Sequence, residues 1–370
     1  MIGGLRARGI AVALAVLMTG SGALAGPVSA ASFHFSVWPW LNAGETVLDR
    51  MPFLGSLFGS LVGPSSLSYG SDGRLTVLLV GSDYRARLAG TGERTDTIMV
   101  LSVNPKTHQV AAVSIPRDVA KVPIGPGQIY KGRINSLFKA YKKYYGTREA
   151  AMEHLRQAIA YALQIQIDYV AYIRFTGVEA MVSQVGGVPV TVKRSIYDNR
   201  IVDERVTNHP HGAKFLASPS TLMLGANAPL CWGPGKSGNW NAVPNCTRAL
   251  LYVRSRHGPR NNDWVRAHRQ QNFMMAALQR LISENSGNQS NLYALAAAAR
   301  AMPSDFYTTL PIATNADAFA LFNLLRYSST SNFLHAVFKP RKYARTVRSH
   351  QELKLSVVRA LTAQWFGPVN

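Results

Sequence analysis

The clearest hydrophobic pattern begins at Leu75, where Leu75-Thr-Val-Leu-Leu-Val80 runs almost unbroken into the polar Gly81-Ser-Asp83. A short apolar run with a polar exit predicts a buried strand. Residues 95–103 predict a second strand, Asn104-Pro-Lys-Thr107 a turn, and residues 109–115 a third strand closing a hairpin. The apolar period then changes. Residues 136–145 and 148–163 repeat at helical spacing, 169–175 alternate like a strand, 176–185 return to a helix, and 186–192 give a turn and strand. After a long loop-rich stretch, residues 248–253 and 263–283 are again helical in pattern, as is the tail from about residue 291. Strands interleaved with helices predict an α/β (α+β-like) sandwich, with a central mixed sheet flanked by helices.

Ahead of this domain the pattern differs. Arg6 and Arg8 precede an apolar run over residues 10–18, and small residues follow through Ala31. A basic end, a short greasy segment and small-residue cleavage candidates form an export signal. The apolar core is shorter than the roughly 20 residues of a bilayer-spanning helix. Counting the Gly, Ser and Ala tail keeps an uncleaved anchor open. The expected organisation is therefore residues 1–31 as signal peptide or membrane anchor and 32–73 as a juxtamembrane tether. Residues 74–284 form the globular domain, and 285–370 a C-terminal helical extension packed on the core.

Charge narrows the partners. The 370-residue chain carries a net charge of +21 although only 16% of its residues are charged. The excess comes from a scarcity of acids, not from lysine blocks, which disfavours a disordered nucleic-acid tail. Export argues against DNA as well, so nucleic acid is not expected. Anionic membrane surfaces and phosphorylated substrates remain. Cys231 and Cys246 sit in a loop segment rich in Gly, Pro, Asn and Trp. In an oxidising compartment a bridge there would stabilise the fold by roughly 3 kcal/mol, and two unpaired thiols are the other reading. Nearby His209 and His211 read as loop residues. The run Gly233-Pro-Gly-Lys-Ser-Gly238 lacks the earlier glycine of a phosphate-binding loop and does not join a strand to a helix.

The chemistry concentrates elsewhere. Between positions 254 and 269 stand Arg254, Arg256, Arg260, Arg266 and Arg269, with Asp263 the only acid and no lysine. The guanidinium fork matches phosphate oxygens two at a time, so this clustering suggests a pocket for a multiply charged, oxygen-rich anion; a solvated basic face is the bland alternative. Asp83 with Arg85, Arg94 with Asp96, and Arg117 with Asp118 lie at or near strand ends, where ligands collect in open α/β sheets. Asp83 and Asp96 suit Mg²⁺, with Mn²⁺ also possible, since this ion takes one or two carboxylates completed by water and phosphate.

Taken in order, Gly81-Ser-Asp-Tyr-Arg85, Arg94-Thr-Asp-Thr-Ile-Met99, Ser114-Ile-Pro-Arg-Asp118, Arg133-Ile-Asn135, Gly186-Gly-Val188, Tyr252-Val-Arg-Ser-Arg256 and Asp263-Trp-Val-Arg-Ala-His-Arg-Gln-Gln271 resemble the motifs of the LytR-CpsA-Psr family over about residues 74–284. The resemblance implies a membrane-attached extracytoplasmic enzyme. Such an enzyme moves a glycopolymer such as teichoic acid, capsule or arabinogalactan from a polyprenyl-pyrophosphate carrier onto peptidoglycan. It further implies that Asp83 and Asp96 position Mg²⁺. Arg94, Arg117, Arg254, Arg256, Arg266 and Arg269, with Gln270, form the pyrophosphate clamp, and Asp263 orients neighbouring arginines. Arg133 stands where members often carry lysine, and Arg85 assists. The family's lipid chain lies in an apolar tunnel, here expected along the helices at 136–145, 148–163 and 176–185, whose apolar faces equally suit ordinary core packing. A polyprenyl-pyrophosphate hydrolase, a non-catalytic binder of anionic lipid or wall polymer, and a DNA-binding regulator suggested by charge alone are the competing readings. No residue is assigned as general base, because a metal-bound Asp83 or Asp96 is a poor one.

Overall fold

The computed structural model describes residues 66–84, 93–198, 200–201, 213–225, 249–258, 262–282, 296–312, 314–325 and 333–367. The expected signal or anchor, most of the tether, Arg85, His209, His211, Arg260 and the cysteine pair lie outside these residues.

In chain order, β1 (Leu75–Ser82), β2 (Thr95–Val103) and β3 (Val110–Ser114) precede a hairpin of β4 (Ala120–Gly125) and β5 (Gln128–Arg133). Then come α1 (Leu137–Tyr145), α2 (Arg148–Leu163), β6 (Tyr169–Arg174), α3 (Phe175–Gln184), β7 (Val188–Thr191), β8 (Ile196–Asp198), β9 (Ala213–Phe215) and β10 (Thr221–Leu224). The remainder is α4 (Ala249–Arg254), α5 (Asp263–Ile282), β11 (Phe306–Thr308), α6 (Asn315–Leu325), β12 (Phe333–Val337), the hairpin β13 (Ala344–Val347) and β14 (His350–Leu353), and α7 (Leu355–Phe366).

Six strands form the central sheet in the order β11-β6-β1-β2-β3-β12. It is mixed: β1 pairs antiparallel with β2 but parallel with β6, and β3 pairs antiparallel with β2 but parallel with β12. The two-residue period of a strand sends alternate side chains to opposite faces, and both faces are covered. On one face Leu78, Val80, Ile98, Val100 and Val113 join Phe138 of α1, Met152, Leu155 and Ile159 of α2, and Val358 and Phe366 of α7 in one buried cluster. On the other, Leu75, Val77, Val103 and Val110 meet Met275 of α5 and Leu324 and Leu325 of α6. A third cluster seats Val182 of α3, Tyr252 of α4 and Phe273 of α5 on β7, β8 and β9. Local signals agree with these elements. The Thr147 hydroxyl accepts from the backbone N–H of Ala150 to cap α2, and Gly146, at φ 83°, ends α1.

Two expectations require correction. The C-terminal segment, read as helical, contributes β11 and β12, the two edges of the central sheet, as well as the β13–β14 hairpin. Its strands are three to five residues long, too short for a two-residue period to stand out locally. The end of the expected tether is fastened to the domain: Ser66 donates N–H and hydroxyl hydrogen bonds to Asp317, and the Ser68 N–H donates to the Tyr169 hydroxyl. Among the described residues no helix is long and apolar enough to cross a membrane.

Candidate active site

A cavity of about 630 Å³ lies between the second sheet face and helices α3, α4 and α5. Its interior is apolar, walled by Leu79, Met99, Ala171 and Ile173 of the sheet, Val178, Met181 and Val182 of α3, and Phe273, Met274 and Ala277 of α5. Charged groups share this wall, Asp83, Arg94, Asp96, Arg117, Arg254, Arg256 and Arg266, together with the neutral amide of Gln270. Helix α5 explains the change in character along one side. Arg266 and Gln270 are four residues apart, and Phe273, Met274 and Ala277 continue the same stripe, so one helical face passes from charge to hydrocarbon.

The strand ends place the acids. The Asp83 backbone N–H donates to the Arg94 carbonyl at 3.0 Å, and its carboxylate accepts from the Arg94 backbone N–H at 2.8 Å. Asp96, in β2, sits beside Arg117, which follows β3. One Arg117 nitrogen, Nη1, donates to both Asp96 oxygens, and the Asn135 amide reaches Oδ1 at 3.4 Å. Arg266 Nη1 stands 3.9 Å from Asp96 and its Nη2 3.1 Å from Asp263, while Arg117 Nε is 3.7 Å from Asp263. Burial alone would raise the Asp96 carboxyl pKa. The charges of Arg117 and Arg266 and the hydrogen bonds from Asn135 and Arg117 outweigh it, leaving Asp96 below the usual range and ionised. Burial likewise acts against the charged form of Arg117, yet Asp96, Asp263 and Asp118 together hold its pKa above the ordinary value. For Arg266 burial prevails over Asp263 and Asp96, so its pKa is lowered. Arg266 is only 5% exposed, and its buried Nε has no hydrogen-bond acceptor within the protein.

The remaining expected residues are placed differently. Arg269, expected in the clamp, is buried behind the wall, where its guanidinium donates to the carbonyls of Tyr252 and Ser255; burial brings its pKa down to about 10. It braces the end of α4 and does not line the cavity. Arg133 ends β5 outside the cavity, 3.1 Å from Asp118 and bonded to the Ser349 carbonyl. Asp263 pairs with Arg266 and Arg117. Of the helices expected along an apolar tunnel, only α3 contributes; α1 and α2 pack on the opposite sheet face as ordinary core.

Four residues to which the sequence alone gave no role also belong here. Asn135 holds Asp96. Asp198, Arg200 and His257 line the cavity. Asp198 and Arg200 follow the stretch read as a turn and strand and open the loop region, so their approach to the arginine segment is invisible in linear order.

Among the described residues no group of three or more His, Cys, Asp or Glu is assembled to hold a metal ion. Asp83 and Asp96 offer the oxygen donors a hard divalent ion takes: both line one wall, and Asp96 is held ionised. Such an ion would share Asp96 with Arg117.

Fold and site together define an α/β domain with arginines and acids on the wall of an apolar cavity. The chain belongs to the LytR_cpsA_psr family, whose model matches residues 62–332. It is 29% identical over 260 residues to "Cell wall biosynthesis protein LcpA" of Corynebacterium glutamicum, covering 61% of this chain and 43% of that protein. It is 31% identical over 117 residues to "Polyisoprenyl-teichoic acid--peptidoglycan teichoic acid transferase TagU" of Bacillus cereus, covering 32% and 34% respectively. The chain thus spans about half or less of the length of the curated relatives it matches. Its fold is similar to that of TagV from B. subtilis, with a TM-score of 0.55, 18% identity, and coverage of 81% of this chain and 100% of that one. It is also similar to TagT bound to LIIa-WTA, at 0.51, 21%, 82% and 97%. At these identities the likeness concerns the fold.

Proposed function

We propose that this protein is a transferase of the cell envelope. In this reading it is a phosphotransferase that moves a glycopolymer from a polyprenyl-pyrophosphate carrier onto peptidoglycan at the outer face of the cytoplasmic membrane. One observation carries the reading: cationic side chains from five separate chain segments, at Arg94, Arg117, Arg200, Arg254 with Arg256, and Arg266, share the wall of a cavity whose interior is hydrocarbon. A ligand matching both halves is an amphiphile with a multiply charged, oxygen-rich head. The volume falls in the range of roughly 300–1,000 Å³ that suits small-molecule sites, so it accommodates the proximal part of a long prenyl tail. The transferase activity named for TagU supports the reaction class.

In this mechanism Arg94, Arg117, Arg254, Arg256 and Arg266 neutralise charge spreading over the diphosphate, the main requirement of phosphoryl transfer. Asp263 keeps Arg266 and Arg117 aimed, and Asp96 fixes Arg117. An acceptor sugar hydroxyl forms a new P–O bond at the phosphorus bearing the glycan. The bond to the carrier's phosphate breaks, and polyprenyl phosphate leaves with the electron pair. A Mg²⁺ or Mn²⁺ ion held by Asp83 and Asp96 would supply further charge neutralisation.

The test is direct. The full chain is incubated with a synthetic polyprenyl-pyrophosphate disaccharide, a peptidoglycan fragment and Mg²⁺, and the products are analysed by mass spectrometry. A phosphodiester-linked adduct that requires the acceptor, and disappears in Arg256→Ala and Asp96→Ala, is expected. Carrier cleavage independent of acceptor would make the protein a hydrolase, and binding without any product would make it a carrier-binding protein.

A further inference from the structure

Asp198 is fully buried at the end of β8, and the chain gathers around its carboxylate. Oδ1 accepts from the backbone N–H of Arg200 at 3.0 Å and of Ile201 at 3.1 Å. Oδ2 accepts from the Ser255 hydroxyl at 3.0 Å, the Arg256 N–H at 2.8 Å and the His257 N–H at 3.0 Å. His257 Nδ1 completes the set, 3.3 Å from Oδ1. Burial would raise the Asp198 pKa, but the N–H groups of His257, Arg200 and Arg256 and the Ser255 hydroxyl outweigh it and keep the group ionised. An ionised carboxylate can only accept hydrogen bonds. His257 Nδ1 must therefore carry the hydrogen, which makes Nε2 the basic nitrogen of the neutral ring. The His257 side chain is one-third exposed and lines the same cavity as Arg254, Arg256 and Arg266.

We propose that His257 is the general base of the transfer, oriented by Asp198 as its positioning residue. The inference rests on the transferase reading above and supplies the proton acceptor that reading lacks. Asp96 is unsuited to the task, since it is wrapped by guanidinium and amide donors. In the step, the acceptor O–H bond breaks as the new P–O bond forms. The proton passes to Nε2, and the electron pair of the broken P–O bond leaves on polyprenyl phosphate. His257 then returns its proton to solvent, so the cycle consumes no other reactant. Asp198 contacts the imidazole directly, and Arg200 from the β8 side, Arg254 and Arg256 on its own segment and Arg266 from α5 line the same cavity.

The experiment compares the full-length protein with His257→Ala and His257→Asn, using the disaccharide donor and peptidoglycan fragment named above. His257→Asn retains a side-chain donor toward Asp198 and so controls for folding. Both variants should lose about 100-fold or more in kcat while donor Kd stays within about threefold. Added imidazole should restore part of the turnover in His257→Ala. The fall in wild-type kcat on acidification should be absent from both variants. Wild-type kcat in either variant, a parallel loss of donor binding, or an unchanged acid dependence without imidazole rescue would overturn the assignment. Absence of transfer by the unaltered protein would remove the parent reading, and this inference with it.

Discussion

A single nitrogen of Arg117 spans the Asp96 carboxylate, with Nη1 2.8 Å from Oδ2 and 3.0 Å from Oδ1. The pair ties the end of β3 to β2 at the cavity wall, and both partners are less than a quarter exposed. Removing one partner leaves the other charge partly buried without its main counterion.

Arg117→Ala should therefore lower stability by about 1–3 kcal/mol at neutral pH and reduce transfer by at least about 100-fold. Arg117→Lys should recover part of the stability but little activity, because an ammonium lacks the planar fork. Urea unfolding beside product analysis checks both.

Arg269 and Arg254 should respond oppositely although both were expected in one clamp. Arg269→Ala leaves the Tyr252 and Ser255 carbonyls without their buried donor and should destabilise the fold by about 2–5 kcal/mol. Arg254 lines the cavity with its guanidinium 4.3 Å from the Phe175 ring centre. Arg254→Ala should change stability by about 1 kcal/mol or less while raising donor Kd about tenfold or more. Thermal melts and donor titration separate the two.

Gly258 has φ +97°, and a Cβ there would meet the Tyr197 carbonyl oxygen at 1.8 Å. Gly258→Ala should cost at least about 2 kcal/mol and displace the preceding Arg256 and His257. Chemical unfolding together with loss of transfer would register this; a silent substitution would mean the segment is not held against β8.

Asp317 fastens the chain at Ser66, and its pKa falls from 3.8 to about 2. Burial acts to raise it, but hydrogen bonds from Ser66 and Thr314 prevail. A depressed folded-state pKa stabilises fully above the unfolded value and is lost as pH falls through the folded one. The stability difference between wild type and Asp317→Asn should thus be steady near neutrality, shrink below 3.8 and vanish near about 2. Urea midpoints across that pH range measure it.

Met181 projects from α3 into the apolar part of the cavity wall. Met181→Trp should weaken binding of a long-chain polyprenyl donor about tenfold, the equivalent of roughly 1.4 kcal/mol of lost contact, yet scarcely affect a donor cut to one isoprene unit. Equal effects on both donors would argue that the tail binds elsewhere.

Much of the fold was legible because its signals are local. Unbroken apolar runs gave β1 and β2, helical periodicity gave α2 and α5, and the motif around Arg254–Gln271 located the arginines near one another. The short C-terminal strands carried no comparable signal. β12 pairs in parallel with β3, more than 200 residues earlier in sequence, so no turn chemistry announces it. The face of each helix was legible too, but not which side of the sheet it would occupy. This is why α1 and α2 resembled cavity walls as well as α3 did.

The sequence by itself determined the kinds of groups available: guanidinium forks, paired carboxylates and apolar stripes at defined spacing, fixed by side-chain chemistry and backbone periodicity. Only the tertiary structure decided which guanidiniums face the cavity. Arg266 and Arg269 are three residues apart on α5, yet one points to Asp96 and the other to the backbone of α4. It also brought Asp198 to His257 across 59 residues of chain. Such placements depend on close packing around a sheet assembled from distant strands, and buried charge then settles on whichever partners that packing supplies.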